Sequence, residues 1–228
     1  MKALGYDIEM PGRLRGSALK TTARSLVDLA RFTLAVRLFR VLPTRRRSRA
    51  LLRLRTAWGN IGFTANVWFL QAVLDYAGFE PGPILECGSG LTTVLLALTA
   101  QPHQVWSLEH EAKWQHYVQR RLRFAGTGAN VLLTPLASFG QFQWYRIPAT
   151  MPKEFRLVIC DGPQGTTPGG RYGLLPLLRE RLPQGTVILL DDAQRLTEQA
   201  VLNRWHEEAG WRFAIKENGG TAYAIVTV

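Results

Sequence analysis

The chain has 228 residues, of which 46% are hydrophobic and 20% are charged, as in ordinary soluble globular proteins. No run of about 18 apolar residues is present and only two cysteines occur, so the sequence argues against a transmembrane helix and a disulfide framework. The net charge of +11 resides entirely in residues 1–55, because residues 56–228 hold 14 basic and 14 acidic side chains.

Residues 1–55 are predicted to form a basic helical N-terminal extension to a domain that spans residues 56–228. A helix is expected over residues 17–42, where Pro43 stops it, and a basic run follows over residues 45–55. Helical spacing places a loose apolar stripe on the first helix, made of Leu19, Ala23, Leu26, Val27, Ala30 and Leu34.

Strands and helices alternate from residue 56 onwards. Strands are predicted over residues 84–87, 104–109, 130–134, 156–161 and 186–190, with helices over residues 64–77, 92–100, 112–124, 172–182 and 196–209. This alternation is typical of an α/β fold with a doubly wound, mostly parallel sheet. Residues 211–216 and 221–228 flank Gly219-Gly220, which predicts a closing antiparallel hairpin.

Two cysteines stand at the ends of predicted strands. Cys87 and Cys160 both close apolar runs, a position typical of buried free thiols. Free thiols indicate a reducing compartment, so a cytoplasmic location is expected.

A glycine-containing loop follows the first strand. Gly88 and Gly90 in Glu86-Cys87-Gly88-Ser89-Gly90 permit a close ligand approach at the carboxyl end of the sheet, where open α/β folds bind ligands. A dinucleotide site would favour a third glycine at position 93, which is Thr, and Glu86 would repel a pyrophosphate. An acid there suits a cationic ligand such as an amine; the alternative is a tight turn with no ligand.

A second acid ends the next strand. Glu109 follows Gly88 by 21 residues, close to the spacing at which a carboxylate accepts hydrogen bonds from ribose hydroxyls. His110 stands beside it.

These motifs resemble the class I S-adenosylmethionine-dependent methyltransferase family over residues 56–228. The resemblance also includes Cys160-Asp161-Gly162-Pro163 and Leu190-Asp191-Asp192. It implies a Rossmann-like methyltransferase sheet and S-adenosylmethionine as the cofactor. The residues that it implies for cofactor binding are Glu86, Gly88, Ser89, Gly90, Glu109, His110, Leu136, Ser138 and Asp161.

Three acids are predicted to meet at the edge of the sheet. Asp161 ends the fourth strand, and Asp191 and Asp192 follow the fifth, so their charges would repel unless a cation or proton intervened. The pattern is similar to that of the metal-dependent O-methyltransferase branch, which implies Mg²⁺ on Asp161, Asp191 and Asp192. Many relatives have Asn at position 192. The alternative is that Asp191 or Asp192 caps the next helix.

The loop over residues 162–172 is a candidate substrate loop, with Arg171 recognising an anion and Tyr172 beside it. The favoured function is O-methylation of a small-molecule or glycan hydroxyl, with Asp161 as the catalytic residue that helps deprotonate it.

Two alternatives depend on the basic extension: a nucleic-acid methyltransferase that grips phosphates with it, and a non-catalytic protein that docks on a membrane or partner through residues 17–55. Peripheral membrane contact through these residues is also compatible with the enzyme. The neutral domain and the absence of an Asn/Asp-Pro-Pro-aromatic motif argue against base methylation.

Overall fold

The computed structural model describes residues 18–42, 47–59, 64–79, 82–100 and 104–228. Two units divide between Thr64 and Ala65. The boundary predicted between residues 55 and 56 lies inside the helix Arg47–Trp58, because the basic run that set it ends at Arg55 while the helix continues. None of the described helices is long and apolar enough to span a membrane.

The described part of the first unit contains helices α1 (Ala18–Val41) and α2 (Arg47–Trp58). The predicted stripe on α1 is wrong where its side chains are described, since Leu26, Val27 and Leu34 are exposed, whereas Phe32 is buried. The reason is α2, which the sequence analysis treated only as a basic run: its Trp58 lies with its ring centroid 5.8 Å from that of Phe32. Pro43 and the side chains of Leu19 and Ala23 lie outside the described residues.

The described part of the second unit begins with helix α3 (Val67–Phe79) and strand β1 (Ile84–Cys87). The elements that follow are α4 (Leu91–Thr99), β2 (Val105–Glu109), α5 (Ala112–Ala125), β3 (Asn130–Leu133), β4 (Leu136–Ser138), β5 (Gln143–Tyr145), β6 (Leu157–Cys160), α6 (Leu174–Leu178), β7 (Val187–Leu190), α7 (Leu196–Ala209), β8 (Arg212–Asn218) and β9 (Thr221–Thr227).

Seven of these strands form one sheet in the order β3-β2-β1-β6-β7-β9-β8. The first five are parallel, and β9 pairs antiparallel with both β7 and β8. The predicted doubly wound sheet with a closing antiparallel hairpin is therefore confirmed. Its register aligns Cys87 with Leu108 and with Cys160, so β1, β2 and β6 end at the same edge.

The central strands are buried on both faces, which explains their uninterrupted apolar sequences. Successive side chains of a strand point to opposite faces, so Leu85 and Cys87 join one hydrophobic cluster and Ile84 joins another with Phe69 of α3. Cys87 and Cys160 are buried and free, as predicted.

The structure differs from the prediction at α6 and at the pair β4–β5. The helix expected over residues 172–182 is only the short α6 followed by a 3-10 turn at Arg179–Arg181. Pro176 cannot donate a backbone hydrogen bond and is accommodated in the first turn of α6. The antiparallel pair β4–β5 was not predicted, because three-residue strands are too short for their alternation to be recognised.

Candidate active site

The loops that follow β1, β2, β6 and β7 meet at one edge of the sheet. Backbone hydrogen bonds continue one residue beyond the strands: Gly88 N donates to Leu108 O at 3.0 Å, and Asp161 N donates to Cys87 O at 3.0 Å. The Asp191 N–H likewise donates to Cys160 O at 3.2 Å. The carboxyl edge of a parallel sheet is where open α/β folds bind ligands, so these loops form the candidate active site.

In the glycine loop, Gly88–Gly90, the first glycine is crowded by a neighbouring loop and the last has open space beside it. Gly88 has a φ of +89°, and a Cβ there would lie 3.0 Å from Gly162 Cα, so glycine is required at this close approach. Gly90 is different, because its backbone is extended and an added Cβ would meet only Thr92 Oγ1, at 3.7 Å. The protein itself leaves room beside Gly90, which suits a ligand passing close to the backbone.

Glu86 is a buried acid beneath this loop. Its Oε2 accepts hydrogen bonds from the hydroxyls of Thr93 and Ser107, each at 2.5 Å. Its Oε1 is buried and has no hydrogen-bond partner among the described residues. Burial raises the pKa of Glu86 to about 7, although the hydroxyl hydrogen bonds oppose the shift. A cationic donor would satisfy the unpartnered oxygen.

Glu109 ties the glycine loop to the end of β2. Its Oε2 accepts from Ser89 Oγ at 2.6 Å and from Ser89 N at 3.2 Å. Its Oε1 accepts from the backbone N–H groups of His110 at 2.8 Å and Glu111 at 2.9 Å. The buried carboxylate is therefore fixed between two loops, at the position predicted for an acid that accepts ribose hydroxyls.

Three further residues lie around Glu109 and the glycine loop. The His110 ring is partly buried, with Nδ1 3.4 Å from Glu109 Oε1. The indole of Trp114 donates to Ser89 O at 2.6 Å and fixes the glycine loop from α5. Thr134 N donates to Glu109 O at 2.7 Å, which brings the chain before β4 to the same edge.

The two predicted adenine contacts lie in β4. Leu136 is partly buried and packs against the core, whereas Ser138 is exposed. Their contact with adenine stays a prediction.

The structure brings the three predicted acids together. Single carboxylate oxygens of Asp161, Asp191 and Asp192 lie within 4.8 Å of one another. Burial raises the pKa of Asp161 to about 6, although the neighbouring Arg171 guanidinium opposes the shift. Burial also raises the pKa of Asp191 well above its ordinary value. Helix α7 begins after Arg195 without a side-chain cap, so neither Asp191 nor Asp192 caps it as the alternative proposed.

Arg171 lies among these acids. Its Nη2 donates to Asp161 Oδ1 at 3.2 Å and to Asp192 Oδ2 at 3.1 Å. It also donates to the main-chain oxygens of Asp161, at 3.2 Å, and Asp191. The predicted role of Arg171 as a receptor for a substrate anion does not agree with this structure, because the side chain is 2% exposed and its anions are internal.

These contacts decide whether a magnesium ion fits the three acids. Mg²⁺ requires oxygen ligands at about 2.0–2.1 Å with waters around it. The space between Asp161 and Asp192 already holds the Arg171 guanidinium, and Arg195 Nη1 lies 2.8 Å from Asp192 Oδ2. Two guanidinium groups therefore already pair with Asp161 and Asp192, two of the three acids that the metal would use, so the residues present do not fit Mg²⁺.

Two buried tyrosine side chains lie near the predicted substrate loop. Tyr172, a predicted substrate residue, is buried and donates its hydroxyl to Glu208 Oε2 at 2.7 Å, on α7. Tyr145, on the unpredicted β5, is buried with its hydroxyl without a hydrogen-bond partner among the described residues. A Cβ on Gly162 would lie 2.6 Å from that hydroxyl, so Tyr145 reaches the junction of the loops after β1 and β6.

Several solved structures with the same architecture are described as methyltransferases. An O-methyltransferase from Bacillus cereus in complex with SAH is 16% identical, with a TM-score of 0.56 over 88% of this chain and 99% of that one. The O-methyltransferase TomG from Streptomyces achromogenes, in complex with SAM, is 15% identical, with a TM-score of 0.56 over 96% and 99%.

A precorrin-6y C5,15-methyltransferase from Geobacter metallireducens is 15% identical, with a TM-score of 0.52 over 73% of this chain and 90% of that one. No protein-family model and no curated protein matches this chain. The chain therefore has the class I methyltransferase fold that the sequence predicted, and the solved neighbours include enzymes with different acceptors.

Proposed function

We propose that this protein is an S-adenosylmethionine-dependent methyltransferase that methylates a hydroxyl oxygen of a small molecule or glycan. One observation carries the proposal: Glu86 and Glu109 converge on the Gly88–Gly90 loop at the carboxyl edge of a methyltransferase sheet. Solved neighbours with this fold are described in complex with SAM or SAH, which supports the choice of cofactor.

The residues of the loop suit the two ends of that cofactor. Glu86 offers a buried carboxyl oxygen without a partner to the amine of the methionine part. The open space beside Gly90 admits a ligand close to the backbone. Glu109 offers its carboxylate to the ribose hydroxyls, which require acceptors.

Ser89 occupies an acceptor position that the ribose would need. A carboxylate accepts about four hydrogen bonds, and Glu109 already accepts three from backbone N–H groups and one from Ser89 Oγ. The N–H groups are fixed by the backbone, whereas a serine hydroxyl rotates freely. We infer that the Ser89 hydroxyl turns away when a ribose hydroxyl binds Glu109.

Asp161 is the residue placed to take the proton of the acceptor. When bound, S-adenosylmethionine supplies a methyl group activated by its sulfonium. The methyl group would pass to the substrate oxygen, and the electron pair of the broken C–S bond would stay on the sulfur of the cofactor. Asp161 accepts the hydroxyl proton; its side chain is 25% exposed, and a pKa near 6 leaves it ionised at neutral pH.

The choice of oxygen as acceptor is supported by two observations. Asp161 supplies a carboxylate at the edge of the site, and two neighbours are described as O-methyltransferases. Other neighbours are described as a precorrin C5,15-methyltransferase and a ribosomal protein L11 methylase, so the acceptor is the part of the proposal that experiment must test.

Transfer of a radiolabelled methyl group from S-adenosylmethionine tests the proposal. The acceptor panel should contain catechols, phenols and oligosaccharides, beside ribosomal protein and total RNA. We expect label on a hydroxylated acceptor, and a much lower kcat in Asp161→Asn with retained SAH binding. Asp75→Asn, at an exposed position on α3, is the matched control and should keep full activity. Label found only on RNA or protein would overturn the choice of acceptor.

A further inference from the structure

We propose that the Arg171 guanidinium takes the place of a divalent cation in this site, so that the cluster of Asp161, Asp191 and Asp192 binds no metal while Arg171 is present. The proposal depends on the guanidinium of Arg171, which lies against two of the three carboxylates, and not on the clustering of the acids alone. Arg171 Nη2 lies 3.2 Å from Asp161 Oδ1 and 3.1 Å from Asp192 Oδ2, between the carboxylates that a metal would bridge.

The geometry of the guanidinium explains how it holds this position. It is a planar group with five donors, and here it donates to two carboxylates and to the main-chain oxygens of Asp161 and Asp191. These acceptors belong to the ends of β6 and β7. Arg171 therefore links the two strand ends, and we assign it as a positioning residue that fixes the carboxylate of Asp161.

The charges around the cluster also disfavour a bound metal. Arg171 is buried and pairs with Asp161 and Asp192, while Arg195 makes a second ion pair with Asp192 at 2.8 Å. Asp191 Oδ1 accepts the N–H of Asp192 at 2.9 Å. A divalent ion would add positive charge beside two guanidinium groups, of which that of Arg171 is buried, and like charges repel more strongly away from bulk water.

Binding of Mn²⁺ to the full chain, followed by electron paramagnetic resonance, tests the proposal without substrate or cofactor. We expect no specific Mn²⁺ site in the wild type and one in Arg171→Ala. The affinity of that variant should be higher by at least about 100-fold, because a positive charge about 4 Å from a divalent ion outweighs that difference. Arg171→Lys retains the charge and should bind no Mn²⁺.

Arg171→Gln, which keeps an amide donor without the charge, replaces Arg171→Ala if the latter fails to fold. Thermal melting supplies a second readout, because a metal that binds the folded state raises Tm. Added Mg²⁺ should raise the Tm of the uncharged variant and leave the wild type unchanged. A wild-type Mn²⁺ site that Asp192→Asn abolishes would overturn the proposal, as would a folded, uncharged variant that binds no metal. Neither result depends on methyltransferase activity.

Discussion

Gly162 is a position where the structure predicts a steric response between two loops of the candidate site. In Gly162→Ala the new Cβ would lie 2.8 Å from Gly88 Cα, 3.1 Å from Gly88 N and 2.6 Å from the Tyr145 hydroxyl. Non-bonded carbon atoms prefer separations of about 3.5–4.0 Å. Because two of these contacts are to backbone, the loops after β1 and β6 would have to separate.

Overpacking of this kind costs about 1–3 kcal/mol. In a chain of 228 residues that corresponds to a Tm lower by about 2–12 °C. SAH should also bind more weakly, since the displaced Gly88 belongs to the glycine loop of the proposed cofactor site. Circular dichroism melting and calorimetric titration measure the two effects.

Tyr145→Phe, alone and combined with Gly162→Ala, separates the clash with the Tyr145 hydroxyl from the clash with Gly88. Tyr145→Phe removes a buried hydroxyl without a partner among the described residues, so alone it should be neutral or slightly stabilising. Combined with Gly162→Ala it should recover part of the lost stability, leaving the contact with Gly88.

Gly165→Ala in the same loop is the matched control, because its Cβ would meet nothing closer than 3.4 Å. A Gly162→Ala protein with the stability and SAH affinity of that control would refute the close approach of the two loops.

Three further predictions concern the glycine loop. Glu86→Gln imitates the protonated acid. The pKa of Glu86 in the folded protein is about 7, above the ordinary 4.5, so the wild type loses stability as the pH rises from 4.5 to 7 and this variant does not. Relative to the variant, the free energy of unfolding of the wild type should fall by at most about 3 kcal/mol over that range, which urea denaturation measures. Ser89→Ala should bind SAH at least as tightly as the wild type; a loss of about tenfold or more would contradict the proposed rotation of its hydroxyl. Trp114→Phe removes a hydrogen bond that fixes the glycine loop and is worth about 1 kcal/mol, so SAH affinity should fall, by at most about fivefold; an unchanged Kd would contradict the role of the indole.

The sequence predicted the sheet well because each central strand is buried on both faces. Ile84–Cys87 has the bounds that its apolar run predicted, and the hairpin at Gly219-Gly220 is also present. Glu86 and Glu109 were recognisable because the residue types and their spacing carry the signal locally. The meeting of Asp161 with Asp191 followed from the parallel order of the strands.

Other features depend on contacts between distant residues. Arg171 stands in a glycine-rich loop, where an arginine is ordinarily exposed, and nothing local shows that it folds back onto acids 10 and 21 residues away. The strand that carries Tyr145 was not predicted, because its three residues give no periodic signal. On α1 the buried side was misjudged because the helix that packs on Phe32 was not predicted.

Calorimetric titration of the full chain with SAH tests the central claim most directly, with Glu109→Ala beside Glu111→Ala as a matched control. Glu111 is exposed and only its backbone N–H contacts Glu109, so its variant should bind SAH as the wild type does. We predict saturable binding by the wild type that is lost in a folded Glu109→Ala. A folded wild-type protein that binds no SAH, or a Glu109→Ala variant that binds it equally well, would contradict the proposed cofactor site.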